Sequence, residues 1–450
     1  MDNILDKLNN VDLIKSNLQK KFELNFNPFP KSGIAIINDS DNIVSKLAPV
    51  DEEVTRKIVT YIHDALYSGS IENQGLRTDK YVSLIVRGEY GSGKTQTLMF
   101  IKYLFNNIKN NNIKPYVVYV DNPGQKLSEL IGGIVAQIGV ENFKKYIWNI
   151  FISYLDKQPD IKTDLFRKSY KKEVSLFPIS EIENDNYANL TNTVQNYKEL
   201  IDKLTFGKNN AEKKQLVERL KSHIINSLIP ETGSPVVAEY FYDILSETIG
   251  VSKSWDMLTT GNVKELDKRE VNILKAIVKI VCEQLEYTDF IILIDEFEEI
   301  TAERLKRTDI DNYLRNLRLL IDREKNWCSV FAMTSKALAM IEEYSAPLAG
   351  RIKGTIIDLK PLNSDAIKTM IANYLSVAKN SPKDNSIYPF DESGIKQMLE
   401  LNENYKQLKG SPRFILKLCY TLLQRASEEL NEGETIDSEF VKKYMDDMLN

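Results

Sequence analysis

The order of apolar and polar residues predicts strands that alternate with helices. KYVSLIVRG is apolar and β-branched, so we expect a buried strand from Val82 to Val86. The KTQTLMFIKYLFNNIKNN that follows predicts a helix, because apolar residues recur at helical spacing: Leu98, Ile101, Leu104 and Phe105. Further strands are predicted in PYVVYV, DFIILI, WCSVFAM and TIIDL. Such alternation is typical of a parallel α/β sheet with flanking helices.

A long middle segment departs from this alternation. Residues 141–264 predict only helices, in ENFKKYIWNIFISYL, AEKKQLVERLKSHIINSLI and PVVAEYFYDILSETIG, and we interpret them as a helical insertion. Within it, LFRKSYKK (Leu165 to Lys172) mixes aromatic and cationic residues, as nucleic-acid contacts do, and a solvated helix face explains the same pattern. The predicted units are an N-terminal helical arm with an extended segment, a base in two parts separated by the insertion, and a C-terminal helical lid: 1–80, 81–140, 141–264, 265–359 and 360–450.

A glycine-rich loop follows the first predicted strand. VRGEYGSGKTQT contains Gly88, four residues, and then Gly93-Lys94-Thr95, the spacing of a phosphate-binding loop. Glycines let backbone N–H groups wrap phosphate oxygens, and the start of the next helix adds positive potential. We expect Lys94 to contact the β- and γ-phosphates of ATP and Thr95 to be a ligand of Mg²⁺. The predicted nucleotide contacts are Gly88, Glu89, Tyr90, Gly91, Ser92, Gly93, Lys94, Thr95 and Gln96.

A pair of carboxylates follows the apolar strand Ile291 to Ile294 in DFIILIDEFEEI. Ligands of open α/β sheets bind at the carboxyl ends of the strands, which is where this pair would lie. Asp295 suits an outer-sphere contact to Mg²⁺, and Glu296 suits polarising the water that attacks a phosphate. We expect the next two glutamates, Glu298 and Glu299, to lie in a solvated turn. A phosphate loop combined with adjacent carboxylates indicates an NTP hydrolase.

The order of these motifs resembles that of the AAA+ ATPases. A phosphate loop, a strand ending in Asp-Glu, a strand ending in polar residues, an arginine and a G-x-P-R segment follow one another along the chain. The branch that looks most similar is the replication-initiator-like clade of origin-recognition and archaeal initiator ATPases. The resemblance implies an AAA+ P-loop sheet with a C-terminal helical lid. Asp295 lies 200 residues after Thr95, a longer separation than is usual in that clade.

The resemblance also implies roles for residues outside the phosphate loop. Thr334 and Ser335 end the strand in WCSVFAMTS, where the family places its sensor-1 polar side chain. Arg351 lies just before the last predicted strand, at a position similar to that of the arginine finger, which reaches the γ-phosphate held by a neighbouring subunit. Arg413 in GSPR matches the sensor-2 arginine, which contacts the γ-phosphate from the lid. Ser411 is the expected N-cap of that lid helix.

Composition and charge narrow the class of protein. Hydrophobic residues make up 42% and charged residues 27%, with a net charge of −5, so no global basic surface points to nucleic acid. The sequence contains no window of 18 uninterrupted apolar residues, so we expect neither a membrane span nor a membrane partner. The cysteines lie inside apolar runs and predict buried thiols in a reducing, cytoplasmic compartment: Cys282, Cys328 and Cys419. The two histidines are isolated, which argues against a histidine-based metal site.

These features together predict an ATP hydrolase that uses Mg²⁺ and assembles with copies of itself. The main hypothesis is an ATP-dependent oligomeric switch that acts on DNA or a DNA-bound protein complex, as in initiation, transposition or phage defence. A first alternative is a signalling or assembly ATPase whose helical insertion senses a protein or ligand. A second alternative is a nucleotide-bound scaffold that hydrolyses little ATP.

Overall fold

The computed structural model describes most of the chain: residues 17–32, 47–67, 81–110, 112–158, 195–246, 251–260, 274, 276–278, 287–302, 305–323, 327–379, 386–404 and 411–444. The basic and aromatic segment Leu165 to Lys172 and the predicted buried thiol of Cys282 lie outside these residues. Cys328 and Cys419 are both buried, as predicted. Within the described ranges, no helix is long and apolar enough to cross a bilayer.

The centre of the molecule is a five-stranded sheet in which all of the strand pairs are parallel. Its strands are β1 Val82–Arg87, β2 Pro115–Val120, β3 Asp289–Ile294, β4 Cys328–Met333 and β5 Thr355–Asp358. Their spatial order is β2-β3-β4-β1-β5, so β4 separates the strand before the glycine loop from the strand before Asp295 and Glu296. The predicted α/β fold with a parallel sheet is confirmed.

Helices surround this sheet and form the remaining layers. Before β3 they are α1 Glu52–Tyr67, α2 Lys94–Asn106, α3 Leu127–Ile138, α4 Val140–Asp156, α5 Tyr197–Thr205, α6 Asn210–Thr232, α7 Pro235–Ser246 and α8 Val251–Thr259. After β3 come a 3₁₀ helix, Phe297–Thr301, and then α9 Arg307–Arg323, α10 Ser335–Tyr344, α11 Ala346–Ile352, α12 Ser364–Ala378, α13 Glu392–Asn404, α14 Pro412–Glu429 and α15 Ser438–Lys443.

Helices cover both faces of the central strands, and successive side chains of a strand point to opposite faces, so every residue of β3 and β4 is buried. On β3, Ile291 and Leu293 join one hydrophobic cluster with α1 and α2. Phe290 and Ile292 join a second cluster, which includes α3, α9, α10 and α11. This two-sided burial accounts for the uninterrupted apolar run of β3, as expected for a parallel sheet.

The helices α4 to α8 belong to the second cluster rather than to a core of their own. Phe143 of α4 packs edge-to-face against Phe241 of α7, with ring centroids 4.9 Å apart. Phe143 also lies 5.7 Å from Trp255 of α8. The helix α8 approaches α3 at Gly132, where an added Cβ would lie 2.3 Å from the carbonyl oxygen of Thr259. The segment predicted as an insertion is therefore packed continuously with one face of the sheet.

The lid contains α12 to α15 and a third hydrophobic cluster. The helix α14 begins where GSPR predicts, with Ser411 at the N-cap, although the Ser411 side chain makes no capping hydrogen bond. Residues 17–29 pack into this cluster through Leu18, Phe22, Leu24 and Phe29. The Lys21 ammonium also donates to the Ser427 carbonyl at 2.8 Å. The N-terminal segment is thus part of the lid core, whereas α1 packs on the sheet. The five domain boundaries given above remain a prediction.

Candidate nucleotide-binding site

A cavity of about 700 Å³ separates the carboxyl edge of the sheet from the lid. Its sheet side is formed by the glycine loop from Tyr90 to Thr97 and by three acidic residues, Asp295, Glu296 and Glu298. Its lid side is formed by α12 and by the start of α14 at Pro412 and Arg413. Residues 47–52 and 358–363 cross between the two sides and complete the wall. Most of the predicted site residues therefore face one space.

The glycine loop joins β1 to α2, as the sequence predicts. Gly91 has φ of +77° and Gly93 has φ of +97°, a region that L-residues with a Cβ rarely adopt. The helix α2 then starts at Lys94, so its first N–H groups point toward the cavity. The hydroxyl of Ser92 is buried and has no hydrogen-bond partner among the residues that the structure describes. Backbone donors, a helix N-terminus and an unpaired hydroxyl suit an anionic group such as phosphate.

The side chain of Lys94 folds back onto its own loop. Its ammonium donates to the Gly88 carbonyl at 3.0 Å and to the Glu89 carbonyl at 3.4 Å. It also lies 3.5 Å from a carboxylate oxygen of Glu298. Only 8% of the Lys94 side chain is exposed. The predicted phosphate-binding cation is therefore present, and acceptors of the same chain hold it in place.

Thr95 and Asp295 lie together at the floor of the cavity. The Thr95 hydroxyl donates to Asp295 Oδ2 at 2.6 Å, and the Tyr119 hydroxyl donates to the same oxygen at 3.0 Å. The other oxygen, Oδ1, accepts from the backbone N–H of Glu296 at 2.9 Å. A hydroxyl beside a carboxylate supplies the hard oxygen ligands that Mg²⁺ prefers. These residues fit the predicted roles of Thr95 and Asp295 toward Mg²⁺.

Glu296 adopts a left-handed backbone conformation, with φ of 48° and ψ of 37°. A non-glycine residue in this region carries strain, and such residues cluster at functional sites. The conformation turns the chain from β3 into the 3₁₀ helix and leaves Glu296 exposed at the cavity. Desolvation of its carboxyl group, together with the neighbouring charges of Asp295 and Glu298, raises the pKa of Glu296.

Glu298 does not lie in a solvated turn, so that prediction is wrong. The 3₁₀ helix buries Phe297 and Ile300 against the sheet and turns Glu298 back toward the glycine loop. Only 8% of Glu298 is exposed, and neither carboxylate oxygen accepts a hydrogen bond from the described residues. Burial raises the pKa of Glu298, while the ammonium of Lys94 opposes the shift. Its neighbour Glu299 is only partly buried.

The lid helix α14 touches the glycine loop directly. The backbone N–H of Arg413 and the hydroxyl of Ser411 both lie 3.4 Å from the carbonyl oxygen of Gly91. A Cβ at Gly91 would approach the Ser411 hydroxyl oxygen to 2.8 Å, so the two segments are in close contact. Arg413 is exposed and lines the cavity. The predicted sensor-2 position therefore faces the glycine loop.

The remaining predicted residues are not among those that line the cavity. Thr334 caps α10, with its hydroxyl accepting from the Ala337 N–H at 3.2 Å, and Ser335 is exposed on the first turn of that helix. Arg351, on α11, pairs with Asp322 and donates to the Pro347 carbonyl at 2.9 Å.

The helix α11 is anchored at the amino end of β1, the end opposite the glycine loop. Ser83 donates to the Ile352 carbonyl there at 2.9 Å. Within one chain, Arg351 therefore lies near the amino ends of the strands, whereas the cavity lies at their carboxyl ends.

Sequence reasoning missed two residues of the site, Tyr119 and Glu298. Tyr119 is close to the end of β2, the strand beside β3. A tyrosine near the end of one strand could have been predicted to donate its hydroxyl to an aspartate at the end of the neighbouring strand. The position of Glu298 depends on the 3₁₀ turn that follows the strained Glu296, and the run of glutamates gave no sign of it.

Comparison with known proteins gives matches in structure only. No protein-family model matches the sequence, and no curated protein matches it. The structural neighbours include ORC proteins of Aeropyrum pernix. ORC2 in ADPNP–ADP complexes is 14% identical, with a TM-score of 0.44 over 91% of this chain and 70% of that one. ORC2 in its ADP form is also 14% identical, with a TM-score of 0.46 over 91% and 71%.

ORC1 of the same organism, in complex with DNA, is 12% identical, with a TM-score of 0.40 over 91% of this chain and 68% of that one. At these identities the likeness concerns the fold alone, and the function has to be argued from the cavity.

Proposed function

We propose that this protein binds Mg-ATP between its sheet and its lid and hydrolyses it. The observation that carries the proposal is the cavity itself, where the glycine loop, the Thr95–Asp295 contact of 2.6 Å and Arg413 of the lid face one another. Phosphoryl transfer needs positioning and neutralisation of charge more than covalent chemistry, and this arrangement offers both.

Each residue of the cavity has a distinct role in this proposal. Lys94 leaves the loop carbonyls and contacts the β- and γ-phosphates, and Thr95 and Asp295 hold Mg²⁺. When bound, Mg²⁺ supplies positive charge that neutralises the phosphate oxygens. Glu296 orients the attacking water and accepts its proton. Arg413 contacts the γ-phosphate from the lid, so that the lid position depends on the nucleotide.

The base of the nucleotide fits the opposite end of the cavity. Leu47, Val50, Leu362 and Met370 line this part, and all of them pack with the lid cluster. An apolar slot between the crossing segments and α12 suits the flat faces of a purine ring. The nucleotide would thus contact the sheet through its phosphates and the lid through its base.

We further propose that the active form is an oligomer. Arg351 lies near the amino ends of the strands, whereas its own cavity lies at their carboxyl ends, and only another copy of the chain could present it to a γ-phosphate. Thr334, at the end of β4 between β1 and β3, is the remaining candidate for sensing the phosphate.

DNA or a DNA-bound complex is the partner that we propose for this switch. The support is the replication-initiator-like order of the motifs, and the net charge of −5 leaves only local patches for phosphate contacts. The buried thiols of Cys328 and Cys419 support a cytoplasmic setting.

Substitution of Lys94 tests the nucleotide site. Lys94→Ala removes a charged donor worth about 1.5–3 kcal/mol, so ATP affinity should fall about 10- to 100-fold by calorimetry. The matched control is Lys109→Ala, an exposed lysine just beyond α2, which should bind ATP as the wild type does. Near-normal ATP affinity in Lys94→Ala would contradict the interpretation of the glycine loop as a phosphate-binding loop.

Binding of DNA separates the proposed partner from the alternatives. With ATP present, binding to duplex DNA should weaken steeply between low and physiological salt, because counterions are released from the DNA. Lack of binding at low salt would favour the signalling ATPase. Tight ATP binding without measurable turnover would favour the scaffold.

A further inference from the structure

The buried carboxylate of Glu298 has no role in the hydrolysis proposed above. It lines the cavity on the sheet side, is 8% exposed, and accepts no hydrogen bond at either oxygen from the part of the chain that the structure describes. The cation that pairs with it in the described residues is the Lys94 ammonium, at 3.5 Å, while Asp295 and Glu296 add further negative charge nearby. A buried carboxylate without hydrogen bonds is costly unless a cation compensates it. Lys94 supplies that compensation.

The same ammonium is the cation that the phosphates of ATP require. In the structure Lys94 contacts two carbonyls of its own loop and the Glu298 carboxylate. Contact with a phosphate draws the ammonium away from these acceptors. Glu298 then remains buried beside a highly anionic ligand, and like charges a few ångströms apart in a partly dry cavity repel strongly.

We propose that Glu298 is an internal counter-ion that competes with the nucleotide phosphates for Lys94. It holds Lys94 against the loop in the nucleotide-free site, weakens the binding of ATP and ADP, and thereby speeds nucleotide release. The inference rests on the proposed nucleotide site and adds a residue that sets its affinity. Its consequence is a site that exchanges nucleotide readily rather than trapping it.

The first test is the nucleotide affinity of Glu298→Gln. The amide keeps the size of the side chain and removes its charge, so the full-length variant should bind ADP and ATP about tenfold more tightly, equivalent to about 1.4 kcal/mol. The ADP release rate, followed with a fluorescent analogue, should fall by a similar factor. Glu299→Gln is the matched control, since it removes the same charge one residue away on the same 3₁₀ helix, and it should change the affinity little.

The outcomes separate this inference from the proposal on which it rests. If the wild type binds ADP and Lys94→Ala does not, but Glu298→Gln binds equally or more weakly, the counter-ion role is wrong and the nucleotide site stands. If the wild type binds neither ADP nor ATP, both proposals fail. A tightening that Glu299→Gln reproduces would indicate a general charge effect and also overturn the specific role of Glu298.

The second test needs no nucleotide. Thermal unfolding is measured for the wild type, Lys94→Ala, Glu298→Gln and the double variant. Lys94→Ala alone leaves the Glu298 carboxylate without its cation, so its Tm should fall, and adding Glu298→Gln should recover most of the loss. Additive changes in Tm would show that the two residues are not coupled in the empty site, and would overturn the proposal.

Discussion

Asp295 and Glu296 are adjacent carboxylates with opposite surroundings. Asp295 is 3% exposed and accepts hydrogen bonds from Thr95, Tyr119 and the Glu296 backbone. Glu296 is exposed, in a left-handed conformation, and faces the cavity. The first arrangement holds the Asp295 carboxylate in place, as the proposed contact with Mg²⁺ requires. The second leaves the Glu296 carboxylate available to a water molecule. The two roles therefore follow from backbone geometry as well as from residue type.

Glu296→Gln should bind ATP with wild-type affinity and lose most of its turnover. The amide keeps the shape of the side chain but cannot accept the proton of the attacking water, and general-base catalysis contributes about 10²- to 10⁴-fold. Binding is measured by calorimetry and turnover by phosphate release. Glu299→Gln serves as the control and should turn over normally. Wild-type turnover in Glu296→Gln would mean that another group activates the water.

At the level of residues, the sequence predicts the parts of the site that belong to local motifs. Lys94, Thr95 and Asp295 lie next to strand ends whose apolar runs identify them, and the structure brings all three to the cavity. Glu298 could not be predicted, because its burial depends on one strained dihedral pair at Glu296 and on packing of the next turn. The sequence places Arg351 just before the last predicted strand, but only the fold shows that it lies on a helix at the amino end of β1.

At the level of elements, the contact between α3 and α8 has almost no free space. A Cβ on Gly132 would lie 2.3 Å from the Thr259 carbonyl oxygen and 2.8 Å from that of Leu258. Both atoms belong to the backbone, so they cannot move aside by a change of rotamer. The helical segment is thus fixed to the sheet layer at a point where only glycine fits.

Gly132→Ala should lower the free energy of unfolding by about 1–3 kcal/mol, because the added methyl group forces the two helices apart. The measurement is urea unfolding followed by far-UV circular dichroism. Gly350→Ala is the control, since a Cβ there meets nothing within 4 Å and alanine favours the helical state of α11 by up to about 1 kcal/mol. If Gly132→Ala were as stable as the control, α3 and α8 would have to lie farther apart than they do in the structure.

The elements themselves were predictable wherever one pattern dominates. The strands are short apolar runs, and β1, β3 and β4 appear where those runs lie. The attachment of residues 17–29 to the lid could not be predicted, since Phe29 stacks on Tyr374, a partner far along the chain. Nor does helical periodicity show whether α4 to α8 form a core of their own or share one with the sheet.

At the level of the whole molecule, Arg351 makes sense as a functional residue only if copies of the chain meet. Its side chain is 40% exposed and its guanidinium pairs with Asp322 on α9. Exposed ion pairs contribute little to stability, so a γ-phosphate could replace Asp322 at small cost. This leaves the arginine free to serve a site on another copy.

Arg351→Ala should bind ATP normally and hydrolyse it at least about 10³-fold more slowly, the size expected of an arginine finger. Lys94→Ala lacks a working site but can donate Arg351, so an equal mixture of the two variants should regain part of the wild-type rate. Arg315→Ala, an exposed arginine of α9, is the control and should keep its turnover. A co-assembled mixture no more active than its components would show that Arg351 does not act across subunits.

The order of the strands has a consequence for how the protein is made. Both neighbours of β1 are encoded far downstream, since Val82 pairs with Cys328 and Leu84 with Thr355. A ribosome adding about 5–20 residues per second needs roughly 10–50 s to reach the first of them. For that interval the nascent chain carries Leu84, Ile85 and Val86 without a strand on either side, although helices with local contacts can form meanwhile. The yield of this protein in a cell should therefore depend on what shields its early strands during translation as much as on the stability of the finished fold.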